Sequence, residues 1–227
     1  MVSIVLPVHN QSDHIEKVVL GYLEALKVLP VAYEMILVAN ACSDNSNQIC
    51  ARLAREHGDI SLITSEEQGW GNAVRMGLAE AHGDLLCYTN SARTAPNDLV
   101  SVISYARVHP NVAIKATRKL RANPRRKLGS SLYNFECRSL FCLKVQDING
   151  TPKLFPRQFD RLLSLEENGD LIDLEFCVTC ARNHYPVQEI PTYSFQRSGG
   201  VSTTNYRSAV KMYIGALLFW FRRHGWK

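Results

Sequence analysis

Nothing in the chain repeats and no tract is of low complexity, which sets repeat architectures aside. A long apolar run is missing as well. Residues 209–221, taken as a helix rising about 1.5 Å per residue, span only about 20 Å against a bilayer core of about 30 Å. A polytopic membrane protein is therefore excluded, and residues 208–227 are read as a C-terminal helix. Packing on the domain and lying at a membrane interface are both open to it, the latter because Lys211, Arg222, Arg223 and Lys227 accompany its apolar residues. No basic leader or small-residue cleavage site precedes Val2, so no signal peptide is expected and the expected location is cytoplasmic.

A disulfide framework is missing too. Seven cysteines are an odd count, spread through apolar segments, as expected of reduced thiols. Cys177 and Cys180 form a CxxC, with Cys137 and Cys142 at permissive zinc spacing, but both pairs fall in stretches that read as helical, where cysteine packs as a small hydrophobe. His14, His57, His82, His109, His184 and His224 show no metal-ligand spacing. No metal site is expected from either set.

What is present is an ordinary globular composition, 46% hydrophobic and 21% charged, over 227 residues, enough for one domain with a substantial core. Charge is unevenly placed. Residues 1–114 carry 7 basic and 12 acidic side chains, and residues 115–227 carry 19 and 9. The basic half suits phosphates on a small molecule, a nucleic acid or an anionic membrane. Its densest stretch, 118–127, holds Asn123-Pro124 and Gly129 nearby and reads as a loop. No interleaved aromatic platform of the kind used by single-strand binders accompanies it, so nucleic acid is not an expected partner.

Hydrophobic periodicity predicts alternating elements. Strands are expected at 2–8, 35–38, 60–63, 84–88 and 112–116, and helices at 46–56, 71–81 and 98–108. A first helix, opened by an Asp13/Glu16 capping box, is expected to run until Pro30 stops it. Beyond these, 130–143, 158–167 and 173–183 read as helices and 187–195 as a strand interrupted by Pro191. Such alternation implies an α/β fold with a mostly parallel, Rossmann-like sheet and helices on both faces. Ligands of open α/β sheets bind at the carboxyl ends of strands, which directs attention to loops 7–10, 39–44, 68–72 and 89–93.

Those loops, in order, resemble glycosyltransferase family 2, in particular its members similar to dolichyl-phosphate mannose synthase and other polyprenyl-phosphate glycosyltransferases. Val5-Leu6-Pro7-Val8-His9-Asn10 is similar to V-I-P-x-Y-N, residues 38–46 to V-D-D-G-S-x-D-x-T, and residues 69–77 to G-x-G-x-A-x-R-x-G. Residues 83–92 fall on the strand that ends in the family's DxD. Ala116-Thr117-Arg118 falls on G-S-R, and residues 147–153 on a D-to-K segment in which Gly150 stands one place early. Asp173-Leu174-Glu175 matches D-x-E, and Glu189-Ile190-Pro191 with Arg197, Gly200 and Ser202 matches E-V-P then R-x-x-G-x-S. The likeness covers residues 2 to about 210.

The resemblance implies a GT-A type fold in a single domain, 1–207, and an inverting glycosyltransferase. Its donor substrate would be a UDP- or GDP-linked nucleotide sugar, and its acceptor a polyprenyl phosphate or a glycan. Pro7, His9, Asn10, Asn40, Asn90, Arg93 and Arg118 are the implied donor-binding residues, with His9 beside the base. Asp173 and Glu175 fall near the acceptor, where a carboxylate could deprotonate a hydroxyl; an acceptor phosphate, already anionic, needs no such base. Helix N-terminal charges favoured by the macrodipole are the other reading of this pair. Trp70, in place of a common Lys, stacks on a ligand or covers the sheet end.

The chain departs from the pattern at the metal. Asn90 and Ala92 replace the DxD carboxylates, and Ala39 and Asn40 replace the paired Asp of the second loop. Mg²⁺ or Mn²⁺ would find a poor oxygen set there, so a divalent ion is not expected to be required. Arginine can neutralise a leaving diphosphate instead, through forked hydrogen bonds, and Arg93, Arg118, Arg125 and Arg197 are the available forks. Lost carboxylates also admit a second reading, a degenerate transferase that binds or regulates without turnover. The retained Arg75, Asp147, Lys153, Asp173, Glu175, Arg197 and Ser202 oppose it.

Overall fold

A computed structural model describes residues 1–119, 124–193, 199 and 206–224, with the side chains of 124–127, 206–209 and 224 outside that description. The first half alternates without exception: β1 (Val2–Val8), α1 (Ile15–Leu26), β2 (Tyr33–Asn40), α2 (Ser46–Glu56), β3 (Ile60–Ser65), α3 (Trp70–Ala79), β4 (Leu85–Tyr88), α4 (Pro96–Val108) and β5 (Ala113–Arg118). Then come α5 (Pro124–Phe141), β6 (Lys153–Pro156), a 3-10 turn (Asp160–Leu163), α6 (Ile172–Arg182), β7 (Val187–Thr192) and α7 (Tyr206–His224).

The strands form one seven-stranded sheet in the order β3-β2-β1-β4-β6-β5-β7. Every pair is parallel except those of β6, which runs antiparallel to both β4 and β5. β1 is buried along its whole length because helices cover both faces. Val5 packs with Val74 and Leu86 on the face covered by α3 and α6. Ile4 and Leu6 pack with Ile15, Val19, Leu99 and Ile103 on the face covered by α1 and α4. The carboxyl ends of β1, β2 and β4 thus share one edge of the sheet.

Local chemistry moves several expected boundaries. Asp13 and Glu16 make no capping box: α1 begins at Ile15 after an N-cap His14 with no side-chain cap bond, and Asp13 bonds the His14 ring at 2.5 Å. α1 ends at Leu26, before Pro30 acts. The basic stretch is no simple loop, since Arg118 ends β5 and Pro124 opens α5, a first-turn position at which a missing N–H is harmless. The helix expected over 158–167 contracts to the 3-10 turn. β6 was unforeseen; four residues ending in Pro156 carry too little periodicity to signal a strand. Of the strand expected over 187–195, β7 reaches Thr192, and residues 194 and 195 lie outside the described residues.

Gly77 lets α3 approach the sheet. A Cβ there would lie 2.3 Å from Val5 Cγ1 and 3.1 Å from Val38 Cγ2, both on fully buried strand residues. Gly77→Ala is expected to destabilise the fold by about 1–3 kcal/mol through overpacking. Urea unfolding would read this as a lower midpoint at unchanged slope; an unaltered midpoint would show that α3 can shift freely.

Candidate active site

The loops at the shared strand ends are tied to one another by side-chain amides. Asn40, only 3% exposed, donates from Nδ2 to the Val8 carbonyl at 2.9 Å and accepts the Gly69 N–H at 3.1 Å, so it joins loop one to the start of α3. His9 Nδ1 lies 2.7 Å from the Asn40 carbonyl, which must accept, so Nδ1 carries the proton and Nε2 is left to accept from Gln68 at 3.1 Å. Asn10 holds a left-handed backbone, φ 49°, while its Oδ1 accepts from Ser43 N at 2.8 Å. Pro7 lies within β1 opposite Val38. Sequence pattern therefore brings Pro7, His9, Asn10 and Asn40 together, but Asn40 serves as a brace with both ends of its amide engaged.

The β2 and β4 loops are braced in the same manner. Asp44 accepts backbone N–H bonds from Ser12 and Ser46, each at 3.0 Å. Partial burial disfavours its charge, but these bonds prevail and hold the carboxyl well below its ordinary range. Gln11 accepts from the Ser91 hydroxyl at 2.5 Å and so spans loops one and four. Asn90 Oδ1 accepts the Ala92 N–H at 3.0 Å, closing the turn on itself, and Arg93 in the same turn is exposed.

This donor set does not fit a divalent cation. The β4 end offers an amide oxygen already bonded and a buried alanine, Asp44 is occupied by backbone donors, and no group of three or more His, Cys, Asp or Glu among the described residues could hold a metal.

A second cluster lies under the sheet's other half. Tyr88, Lys153, Lys115 and Glu189 occupy successive in-register positions on β4, β6, β5 and β7. Asp173, on the first turn of α6, accepts from the Tyr88 hydroxyl at 3.1 Å and pairs closely with Lys153 Nζ. Burial pushes the Lys153 ammonium below its ordinary value, and Asp173 opposes that. Lys115 donates to Glu189 at 3.0 Å and to the Asp147 carbonyl. Glu189 also accepts from Thr117 Oγ1 at 2.6 Å and Gln146 N at 2.8 Å. Burial raises its carboxyl, but Lys115 and these donors win and hold it low. Asp147 grips Arg118 through Nε and Nη2, both at 2.7 Å, leaving Nη1 of a guanidinium that is a quarter exposed.

The two carboxylates of Asp173-Leu174-Glu175 diverge. Glu175 accepts the N–H groups of Glu166 and Glu167, each at 2.9 Å, and pairs with Arg223 of α7 at 2.7 Å. Burial raises its carboxyl against those bonds. With Asp173 taken by Tyr88 and Lys153, the two do not converge on a common point, and both are almost fully buried. Arg118 stands three strands from β1, about 14 Å at ordinary strand spacing, and Arg197 lies outside the described residues. Trp70 packs edge-on against Tyr88 with its indole N–H unpartnered among the described residues. Lys115 was missed in the sequence, although a lysine inside the apolar run Ala113-Ile114-Lys115-Ala116 was its signal. A cavity of about 770 Å³ runs along β7, lined by Lys144, Cys177, Cys180 and Glu189, apart from the strand-end loops.

Residues 3–163 match the model of the family described as glycosyl transferase family 2, and the chain belongs to that family. It is 28% identical over 97% of its length to glycosyltransferase AglD of Haloferax volcanii, of which it spans 37%. It is 32% identical over 37% of its length to an undecaprenyl-phosphate 4-deoxy-4-formamido-L-arabinose transferase of Yersinia pestis, covering 27% of that protein. The chain thus spans little more than a third of the first of these relatives and matches 27% of the second. Among solved structures, glucosyl-3-phosphoglycerate synthase from Mycobacterium tuberculosis in complex with uridine diphosphate has a TM-score of 0.76 at 14% identity, covering 99% of this chain and 80% of that one. The same enzyme is also known with Mn²⁺, at a TM-score of 0.72, 16% identity and coverage of 97% and 79%. The fold is the GT-A type.

Glu189 shields a lysine with no exposed surface. Glu189→Gln strands that charge and is expected to cost about 3–5 kcal/mol at pH 7. Because the folded-state carboxyl is held low, its contribution is complete above its unfolded value of about 4.3 and is lost as pH falls through the folded value. Unfolding free energies of the two proteins should therefore converge below about pH 4. A pH-independent gap would show that the lost contact is steric.

Proposed function

We propose that the chain is the catalytic part of an inverting glycosyltransferase that moves a sugar from a UDP- or GDP-linked donor to an anionic acceptor, a polyprenyl phosphate in preference to a glycan hydroxyl. One observation carries the choice of acceptor: Asp173 and Glu175 are both engaged and buried, so neither stands ready as a base. A phosphate needs no deprotonation. Its oxygen attacks the anomeric carbon, the bond to the donor diphosphate breaks, and the electron pair leaves on the nucleoside diphosphate. The Yersinia relative, whose name carries undecaprenyl phosphate, supports this reading. We place the work at the cytoplasmic face of a membrane, with the protein peripheral to it.

On this reading the nucleotide lies across loops one, two and four, with His9 and Asn10 beside the base and Asn90 below the diphosphate. Asn40 supports that floor from beneath. Negative charge that builds on the leaving diphosphate is met by Arg93, Arg118 and Arg197 in place of a metal, since preorganised donors act most strongly where charge develops. Arg118 is the best prepared, because Asp147 fixes its plane and leaves Nη1 for a ligand.

The decisive test is transfer from labelled nucleotide sugars to undecaprenyl phosphate, with titration calorimetry of UDP and GDP in EDTA and in Mn²⁺. Binding is expected to be the same in both, and binding that is absent in EDTA but restored by Mn²⁺ would overturn metal independence. Loss of transfer with binding retained would favour a degenerate binding protein. Arg118→Lys and Arg197→Lys, which keep charge but lose the fork, are expected to lower kcat about 100-fold while changing donor affinity little. Full activity in either variant would remove that residue from the site.

A further inference from the structure

α5 and α7 lie side by side: Tyr133 meets Tyr213 edge-on at 5.8 Å, Phe141 meets Phe219 at 5.6 Å, and the Tyr213 hydroxyl donates to the Gly129 carbonyl at 2.6 Å. Contacts that advance together along both helices mean that they run in the same direction. Tyr133, Cys137, Ala216 and Phe219 bury their inner sides. The outer sides are apolar as well. On α5, Leu132 and Phe135 are 52% and 62% exposed, in line with Leu128. On α7, Ile214, Leu218 and Phe221 are 54%, 56% and 57% exposed, in line with Val210 and Leu217. Such spacing places each set on one helical stripe, and a monomer rarely leaves so many large side chains together in water.

Charge decides what covers them. α5 carries four basic side chains against Glu136 alone, and α7 carries four and no acid. Arg222 and Arg223 turn toward Glu167 and Glu175, while Lys211 of α7 and Arg138 of α5 are exposed beside the apolar residues, and the same two helices carry Arg125, Arg126, Lys127 and Arg207 in sequence. A second copy of this face would bring like charges together. Neither helix is long and apolar enough to cross a membrane. We propose that α5 and α7 form one two-helix surface that lies in the interface of an anionic bilayer, with the Leu128, Leu132 and Phe135 stripe a full half of the contact.

This deepens the reading of a lipid-phosphate acceptor and rests on it only for orientation. α5 starts six residues after Arg118, so the face begins within about 22 Å of that guanidinium's backbone, at the edge where the strand-end loops gather. A phosphate at headgroup depth would then meet the basic half of the chain without leaving the membrane.

The test is flotation of the whole chain with vesicles of phosphatidylcholine alone and with phosphatidylglycerol added. Expected is binding only to the anionic vesicles, reversed by salt. Leu132→Ser with Phe135→Ser, both solvent-exposed, should weaken partitioning about tenfold or more, as should Ile214→Ser with Leu218→Ser. Circular dichroism checks that each variant is folded. Equal binding to neutral vesicles, or an α5 variant that floats like the unaltered protein, would overturn the proposal. So would a dimer by light scattering that the α5 substitutions dissociate, since a second copy would then cover the face. Flotation requires no turnover, so failure here leaves the transferase reading standing, and an inactive protein that still floats leaves this one.

Discussion

A row of buried charge holds the second half of this fold in place. Tyr88, Lys153, Lys115 and Glu189 stand in register across four strands, and two of the four are lysines with no exposed surface. An unpaired ammonium at such depth would be prohibitive, so each must have its carboxylate: Asp173 for Lys153 and Glu189 for Lys115. These pairings dictate register. A slip of one residue in β6 would send Lys153 to the opposite, apolar face and leave Asp173 without its partner. Short β6 is thus fixed less by its four residues of ladder than by one ion pair, and its antiparallel insertion places β5 and β7 where Arg118 and Asp147 can meet.

The first half follows a different logic and was correspondingly easier to read. Strands buried on both faces announce themselves as continuous apolar runs, and β1 to β4 with their helices emerged from periodicity with only boundary shifts. The second half is organised by side-chain partners distant in sequence, which periodicity does not see. The helix expected over 130–143 instead begins at Pro124, because a loop reading of Arg125, Arg126, Lys127 and Gly129 is reasonable until an apolar stripe on the neighbouring turns is recognised. The D-x-E motif was legible as chemistry, but not its geometry. Residues two apart on a helix differ by about 200° in direction, and this alone separates Asp173, beneath β4, from Glu175, which faces α7.

At the strand ends the substitution of carboxylates by amides changes the electrostatic character of the site and not only its ligand count. Asn40 and Asn90 each direct an amide oxygen to a backbone N–H, which orders the loops without adding negative charge. Two aspartates in those places would repel a diphosphate unless a cation intervened. With amides that repulsion is absent, and on the proposed reading cationic side chains from the basic half would meet a donor diphosphate directly. The amides at the strand ends and the arginines of the second half are therefore complementary on that reading.

The basic side chains of residues 115–227 include three populations with different physics. Lys115 and Lys153 are internal, neutralised by carboxylates, and contribute specificity of register. Arg118 is intermediate, clamped by Asp147 on one side and open on the other, so its field is directed outward from a fixed plane. Exposed cations such as Arg138 of α5 and Lys211 of α7 stand beside apolar residues, where a low-dielectric neighbour would strengthen them and bulk water screens them. Net charge alone could not tell these apart. What separates them is burial, which for Lys115 and Lys153 follows from the strand register that the ionic row imposes.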